Sequence, residues 1–348
     1  VEEFVNNEIW ENIDDLSNNF NYDEDVYAAY AIYGNKKNKL SYQVGLRLEH
    51  SEVLTELEQT NEVNDRSYTN LFPSAHFSYE FSTTNAFQIS YSKRLRRPRF
   101  RDLNPFFTFS DSRNFFSGNP DLDPENTDSY EIGHLKYFEN ATLSSSVFWR
   151  HSNNVIQRIQ LTGEDGNTIT APQNLNTRDD YGLDLNFSYS GIKWWRIDGN
   201  YSVFRQIVNG ENVRADFSAN GYTMNGRMTN KLTVAKDIDV QLRFNFRGPR
   251  NTTQGRYSGI YTMDLGVSKD FLNKKLNATL SARDLFNSRR RVWFIENGDY
   301  SENGDFQWRA RTIRLNLSYK FSKGEDQKGK KGRRQSRGNS GFEGEGEF

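Results

Sequence analysis

Thr312–Phe321 reads TIRLNLSYKF, and its alternation decides the fold. Ile313, Leu315, Leu317, Tyr319 and Phe321 fall on one side of an extended chain and Arg314, Asn316, Ser318 and Lys320 on the other, because successive side chains of a strand point to opposite faces. One face suits lipid and the other suits water. The pattern recurs upstream. Leu40, Tyr42, Val44, Leu46 and Leu48 alternate with Ser41, Gln43, Gly45, Arg47 and Glu49, and Ala75, Phe77, Tyr79 and Phe81 alternate with Ser74, His76, Ser78 and Glu80. Tyr181, Leu183, Leu185, Phe187 and Tyr189 repeat it, as do residues 240–246, 261–267 and 276–282. The polar faces mix Gly, Ser, Asn, Gln, Asp and Arg. A hydrated lumen tolerates such a face, whereas the dry core of a sandwich does not.

The connections alternate as well. Tight-turn chemistry occurs at residues 35–38, 82–85, 139–141, 190–192, 236–239 and 272–275. Between these turns lie long excursions, at about 51–69, 98–127, 162–177, 208–216, 249–258 and 287–306. In bacterial outer-membrane barrels short turns are periplasmic and long loops extracellular, which orients the chain. The reading is an all-β, antiparallel transmembrane β-barrel fold with about thirteen strands in this chain, from near Asp25 to Phe321. The first strand enters a short turn and so runs inward from outside. An odd count with an outside start implies further strands upstream, so the chain reads as a fragment or as one part of a split barrel.

Composition permits this. The chain is 35% hydrophobic and 26% charged, with a mean hydropathy of -0.87. That is polar for a membrane protein, but only every second residue of a barrel strand meets lipid and the loops are polar. No run approaches the roughly 18 apolar residues of a membrane-crossing helix. The opening VEEFVNNEIW has no basic or apolar leader region, so no signal peptide is read in it. The absence of cysteine excludes disulfides and thiolate sites, and a net charge of -1 gives no global attraction to nucleic acid. Aromatic residues make up 14% of the chain, enough for interfacial girdles, and Trp194 and Trp195 sit where the inner girdle would fall. Three regions follow: residues 1–23, the end of an outer loop; residues 24–321, barrel wall; and residues 322–348, a charged tail too poor in apolar residues to fold.

The words NYDEDVYAAYAIYG, LSYQVGLRLEHS, LFPSAHFSYEFS, ISYSKRLRRPRFRDLNPF, GNPDLDPENTDSYEIGHLKYF, SARDLFNSRR and RTIRLNLSYKF together resemble the barrel region of TonB-dependent receptors of the Bacteroidetes type. The resemblance covers nearly all of the ordered chain. It implies a barrel of about 22 strands filled by a plug domain, of which this chain would be the C-terminal wall, without the plug or the energy-coupling box. The implied place is the bacterial outer membrane. The implied partners are its lipid bilayer, the TonB complex acting through a plug outside this chain, and an imported ligand of unknown identity.

Candidate site residues cluster in the excursion after Ser92. Arg94, Arg96, Arg97, Arg99 and Arg101 precede Phe106, Phe107 and Phe109. Guanidinium groups pair with carboxylate or phosphate and aromatic rings stack on flat ligands, which suits an anionic or ring-bearing solute. The more economical reading is that the same residues pin a long loop over the barrel mouth or against the plug, and contact with acidic surface glycans is a third reading. Asp121, Asp123 and Glu125 invite a calcium reading, but Asn126 occupies the position where an EF-hand loop needs Gly and Pro124 stiffens the run, which favours a rigid turn. His50, His76, His134 and His151 form no ligand-spaced pair, and no nucleophile elbow is present. Neither a metal, a cofactor nor an enzymatic activity is expected. The sequons at Asn140, Asn251, Asn277 and Asn316 are read as chance in an asparagine-rich chain.

The leading reading is the wall of an energised importer for a scarce or bulky nutrient. An outer-membrane barrel with a structural, adhesive or assembly role is the alternative. A soluble all-β binding protein would use the same alternation in a sandwich or propeller.

Overall fold

A computed structural model of the chain describes residues 2–5, 9–12, 19–106, 108–109, 113–162, 166–297 and 300–321. The tail expected at 322–348, Phe107 and part of the segment 1–23 lie outside the described residues. In chain order the elements are β1 (Glu2–Val5), β2 (Ile9–Asn12), β3 (Phe20–Lys37), β4 (Leu40–Leu57), β5 (Glu62–Ser82), β6 (Asn85–Arg96) and a single helical turn, α1 (Phe100–Leu103). There follow β7 (Thr108–Phe109), β8 (Asn114–Phe116), β9 (Glu125–Tyr137), β10 (Ala141–Thr162), β11 (Thr168–Ile192), β12 (Trp195–Asn209), β13 (Ser218–Ala235) and β14 (Ile238–Arg247). The last are β15 (Arg250–Thr252), β16 (Gly255–Tyr257), β17 (Ile260–Phe271), β18 (Leu276–Arg283), β19 (Arg291–Asn297), β20 (Tyr300–Phe306) and β21 (Thr312–Tyr319).

One sheet dominates. Its strands follow the order β3-β4-β5-β6-β9-β10-β11-β12-β13-β14-β17-β18-β21, each antiparallel to the next. Hairpin connectivity therefore builds the wall from neighbours in sequence. β3 and β21 end the path without pairing to each other among the described residues, so this portion of the wall is an open sheet. The tight turns lie at one end of it. Asn38 and Asp237 take the left-handed conformation there, with φ of 56° and 61°, which short-side-chain Asn and Asp tolerate best among non-glycine residues.

The long excursions are shorter than expected. β4 and β5 continue as a hairpin to a turn near Glu58–Asn61, and β10 and β11 stay paired as far as Thr162 and Thr168. Residues 250–257 and 291–306 form their own antiparallel ladders, β15-β16-β19-β20. Backbone ladders need no apolar face, so they outlast the alternation that marks the membrane-facing half of each strand. With 22 and 25 residues, β10 and β11 are about twice the length needed to span.

The phase of burial changes along β10. Ser146, Phe148 and Ser152 are buried below Asn154, and Val155 and Ile159 above it. Asn154 has φ of 55°, and this kink turns the next residues over. Val155 and Ile159 then join Leu175, Val208, Phe217 and Ala219 in an apolar core beyond the alternating zone.

Within that zone, one face is apolar and open. Ile313, Leu315 and Leu317 are 67%, 63% and 62% exposed, which in water would be an unprotected patch. Aromatic rings border it. Tyr91, Tyr130, Trp149 and Tyr181 stand in one cross-strand row, with Trp149 stacked on Tyr130 at 5.1 Å and on Tyr181 at 6.3 Å. Nearer the tight turns, Tyr189 meets Trp195 at 5.9 Å and Tyr319 meets Phe321 at 4.8 Å. From Tyr181 to Tyr189 the rise at a tilt of ~40° is roughly 20 Å, close to the apolar band of a membrane barrel.

Candidate functional site

The segment from Arg96 to Glu125 connects two adjacent strands, β6 and β9, yet it reaches well beyond both. It crosses the polar face of the sheet and is tied down on either side. Towards β3 and β4, Arg97 Nε lies 3.0 Å from Glu24 Oε1, and Arg97 Nη2 pairs with Glu49 and donates to Ser51 Oγ at 3.0 Å. Glu49 also pairs with Arg47 at 2.5 Å and is 5% exposed in its side chain. Towards β5, Arg66 donates to the Leu122 carbonyl oxygen and meets Asp123 at 3.0 Å, and Asn64 donates to Asp121 at 3.3 Å.

The other side is held by β10 and β11. Arg158 meets Asp102 at 3.0 Å. Asn174 donates to the Asp123 carbonyl oxygen at 2.9 Å and accepts the Asp123 backbone N–H at 2.8 Å, while Asn119 donates to the Pro172 carbonyl oxygen at 3.2 Å. β8 adds a short parallel pairing to β11. Beneath this strap Leu103 and Leu122, 4% and 2% exposed, line one small cavity with Val53 of β4. The apolar contact fixes its height, and the ion pairs fix its lateral position.

Glu125 is the anchor at the far end. Its carboxylate accepts from Arg178 at 3.0 Å and from the Ile156 backbone N–H at 3.1 Å, and lies 3.4 Å from Arg96 Nη1. Two cations and a backbone donor compensate a side chain that is 3% exposed. At the opposite end Tyr22 donates to Glu24 Oε2 at 2.7 Å. Burial, and then the neighbouring Glu24 carboxylate, hold this phenol well above its ordinary range.

The candidate arginines thus separate into two groups. Arg96 and Arg97 are absorbed by buried carboxylates. Arg94, on the polar face opposite Thr127, and Arg99 and Arg101, on α1 and its flank, have exposed side chains. Arg101 stands 5.6 Å and Arg158 4.8 Å from the ring centroid of Phe116. Phe106 is half-buried, its backbone N–H donating to Asn104 Oδ1 at 3.0 Å. Phe109 pairs through its backbone with Phe115, and its side chain lies outside the described residues, as does all of Phe107. Asp121, Asp123 and Glu125 do not converge, because each faces a different donor. Among the described residues no group of three or more His, Asp or Glu side chains is placed to hold a metal ion. The partners Arg66, Arg158, Asn174 and Arg178 were not anticipated; each lies some 50 residues from the group it binds, and no local motif marks it.

Residues 1–319 match the outer membrane protein beta-barrel family. The chain belongs to that family. In this outer-membrane barrel the apolar face meets lipid, the polar face lines the lumen, and the strap lies across the lumen side of the wall. The protein accordingly resides in the bacterial outer membrane. No curated protein matches the chain in sequence. Solved structures share the barrel family's fold. The ferric yersiniabactin uptake receptor of Yersinia pestis aligns with a TM-score of 0.57 and 16% identity over 86% of this chain and 46% of its own. The copper transporter OprC aligns with a TM-score of 0.65 and 14% identity over 91% and 51%. The siderophore receptor PiuA of Acinetobacter baumannii aligns with a TM-score of 0.60 and 13% identity over 86% and 44%. The chain spans about half the length of these structures.

Proposed function

We propose that this chain forms the wall, outer hairpins and lumen strap of a TonB-dependent receptor of the Bacteroidetes type, importing a nutrient too scarce or too bulky for passive pores. One observation carries the reading: a strap stitched across the lumen face of a wall whose fold is that of solved uptake receptors. A barrel left open would leak. A wall that holds part of its outer connections over its own lumen suits a gated importer. In this reading the tight turns face the periplasm, the long hairpins face outside, and energy enters through a plug that contacts the TonB complex. The wall binds and guides the solute and performs no covalent chemistry.

The test is uptake in the native host. Cells lacking the gene are grown with iron complexes, oligosaccharides, peptides or cobalamin as the limiting nutrient. The reading predicts a growth defect on one class, restored by the intact gene, and uptake abolished by dissipating the proton-motive force. Unimpaired growth on every class, or uptake indifferent to the uncoupler, contradicts it.

A further inference from the structure

The two halves of the lumen face differ in how their arginines are held. On β4 to β11 the inward arginines other than the exposed Arg94 meet carboxylates, among them Arg47 at Glu49, Arg178 at Glu125 and Arg150 at Asp184. On β13 to β21, Arg227, Arg243, Arg283 and Arg314 make no ion pair among the described residues. Register places them on one face. Arg227 stands opposite Asn245, Arg243 opposite Thr229 and Asp264, Arg283 opposite Thr312, and Arg314 opposite Ser281, all on the side away from Leu242, Leu265 and Leu315. Asp264 is the acidic residue nearest in register, and its Oδ1 accepts the Asp284 backbone N–H at 2.8 Å. Arg243 Nε is buried and has no hydrogen-bond partner among the described residues.

Neighbouring strands lie ~4.8 Å apart, inside the ~8 Å screening length of physiological salt. The potentials of the four guanidiniums therefore add within a low-dielectric wall. The patch crosses five adjacent strands, roughly 20 Å, a width that several anionic groups on one molecule can occupy together. Guanidinium forks match carboxylate and phosphate oxygens in pairs. We propose that this lumen patch binds a small polyanion, a solute carrying two or more carboxylate or phosphate groups. The proposal rests on the import reading in so far as the polyanion is the imported solute, and it names the class of that solute.

The protein extracted from the outer membrane in detergent is titrated calorimetrically with inorganic pyrophosphate and with citrate, at low and at physiological salt. Expected is binding of at least one of them that weakens with salt. It also weakens about tenfold in Arg243→Gln and in Arg314→Gln, the scale of one charge-assisted hydrogen bond, and is largely kept in Arg243→Lys. Arg314 is exposed on β21, so its substitution leaves the fold intact, which far-UV circular dichroism verifies. Arg205→Gln is the control, since Arg205 lies on the lipid face over Tyr222, and it leaves binding unchanged. The proposal is overturned if neither polyanion binds, as when an acidic segment of the protein already fills the patch. It is equally overturned if the lumen variants bind like the parent, or if Arg205→Gln weakens binding as much as they do. Binding in detergent requires no energised uptake. Absent import with intact polyanion binding thus counts against the import reading alone, and import unaffected by the lumen variants counts against the patch alone.

Discussion

Arg178 Nη2 lies 3.0 Å from Glu125 Oε1, joining the middle of β11 to the first residue of β9 across the strand between them. Arg96 approaches the same carboxylate from β6. Four adjacent strands of the wall, and the end of the strap, are thereby referred to one buried charge.

Glu125→Gln keeps the shape and removes that charge. Leaving two guanidiniums beside a buried neutral amide costs about 3 kcal/mol, a loss concentrated where the strap re-enters the wall. Hydrogen exchange of residues 113–124 is expected to accelerate roughly a hundredfold, with residues 240–267 unchanged. Equal protection in the variant would remove Glu125 from the anchoring role.

Asn154 carries the phase change of β10 in a left-handed conformation. Asn154→Ala is expected to lower stability by about 1–2 kcal/mol, whereas Asn154→Gly is close to neutral. Urea midpoints in detergent micelles compare them. Similar losses for both variants would mean that the side chain, rather than its backbone conformation, matters there.

Trp149 and Trp195 mark opposite borders of the apolar band. Single-tryptophan variants in vesicles are expected to be quenched more by lipids labelled near the headgroup than by lipids labelled at the chain end. Stronger quenching from the chain end would displace both borders.

Tyr22 bears on alkaline pH. A folded-state pKa raised by burial and Glu24 means that the contribution of this phenol is complete below the ordinary tyrosine value of ~10 and is lost as pH climbs through the raised one. The strap contact is expected to persist at pH values where exposed tyrosines ionise. Difference absorbance between the parent and Tyr22→Phe reads it directly, and a tyrosinate signal appearing at the ordinary value would contradict the arrangement.

The wall was legible because lipid demands one apolar face and a lumen tolerates a polar one, a requirement that Leu40–Leu48 and Ile313–Phe321 state residue by residue. The upper hairpins were not. Beyond the membrane the ladder of β10 and β11 continues through residues such as Gln157, Arg158 and Gln173, which carry no alternation, so paired backbone reads as loop. The arginine cluster was visible, but its division was not. Arg96 and Arg97 meet Glu24, Glu49 and Glu125, and only the register of separate strands sets those contacts. The arginines of the lumen patch were dispersed over four strands and had no local signature at all.

The central claim is that the wall has one lipid face and one lumen face, and Thr312–Phe321 tests it most directly. The chain contains no cysteine, so single cysteines placed from residue 312 to 321 can each carry a spin label without background. In reconstituted membranes, collision with oxygen is expected to peak at 313, 315, 317 and 319, and collision with a water-soluble nickel chelate at 314, 316 and 318, the two series alternating out of phase with a period of two. High nickel-chelate accessibility at every position, or no alternation between the two series, would contradict the account.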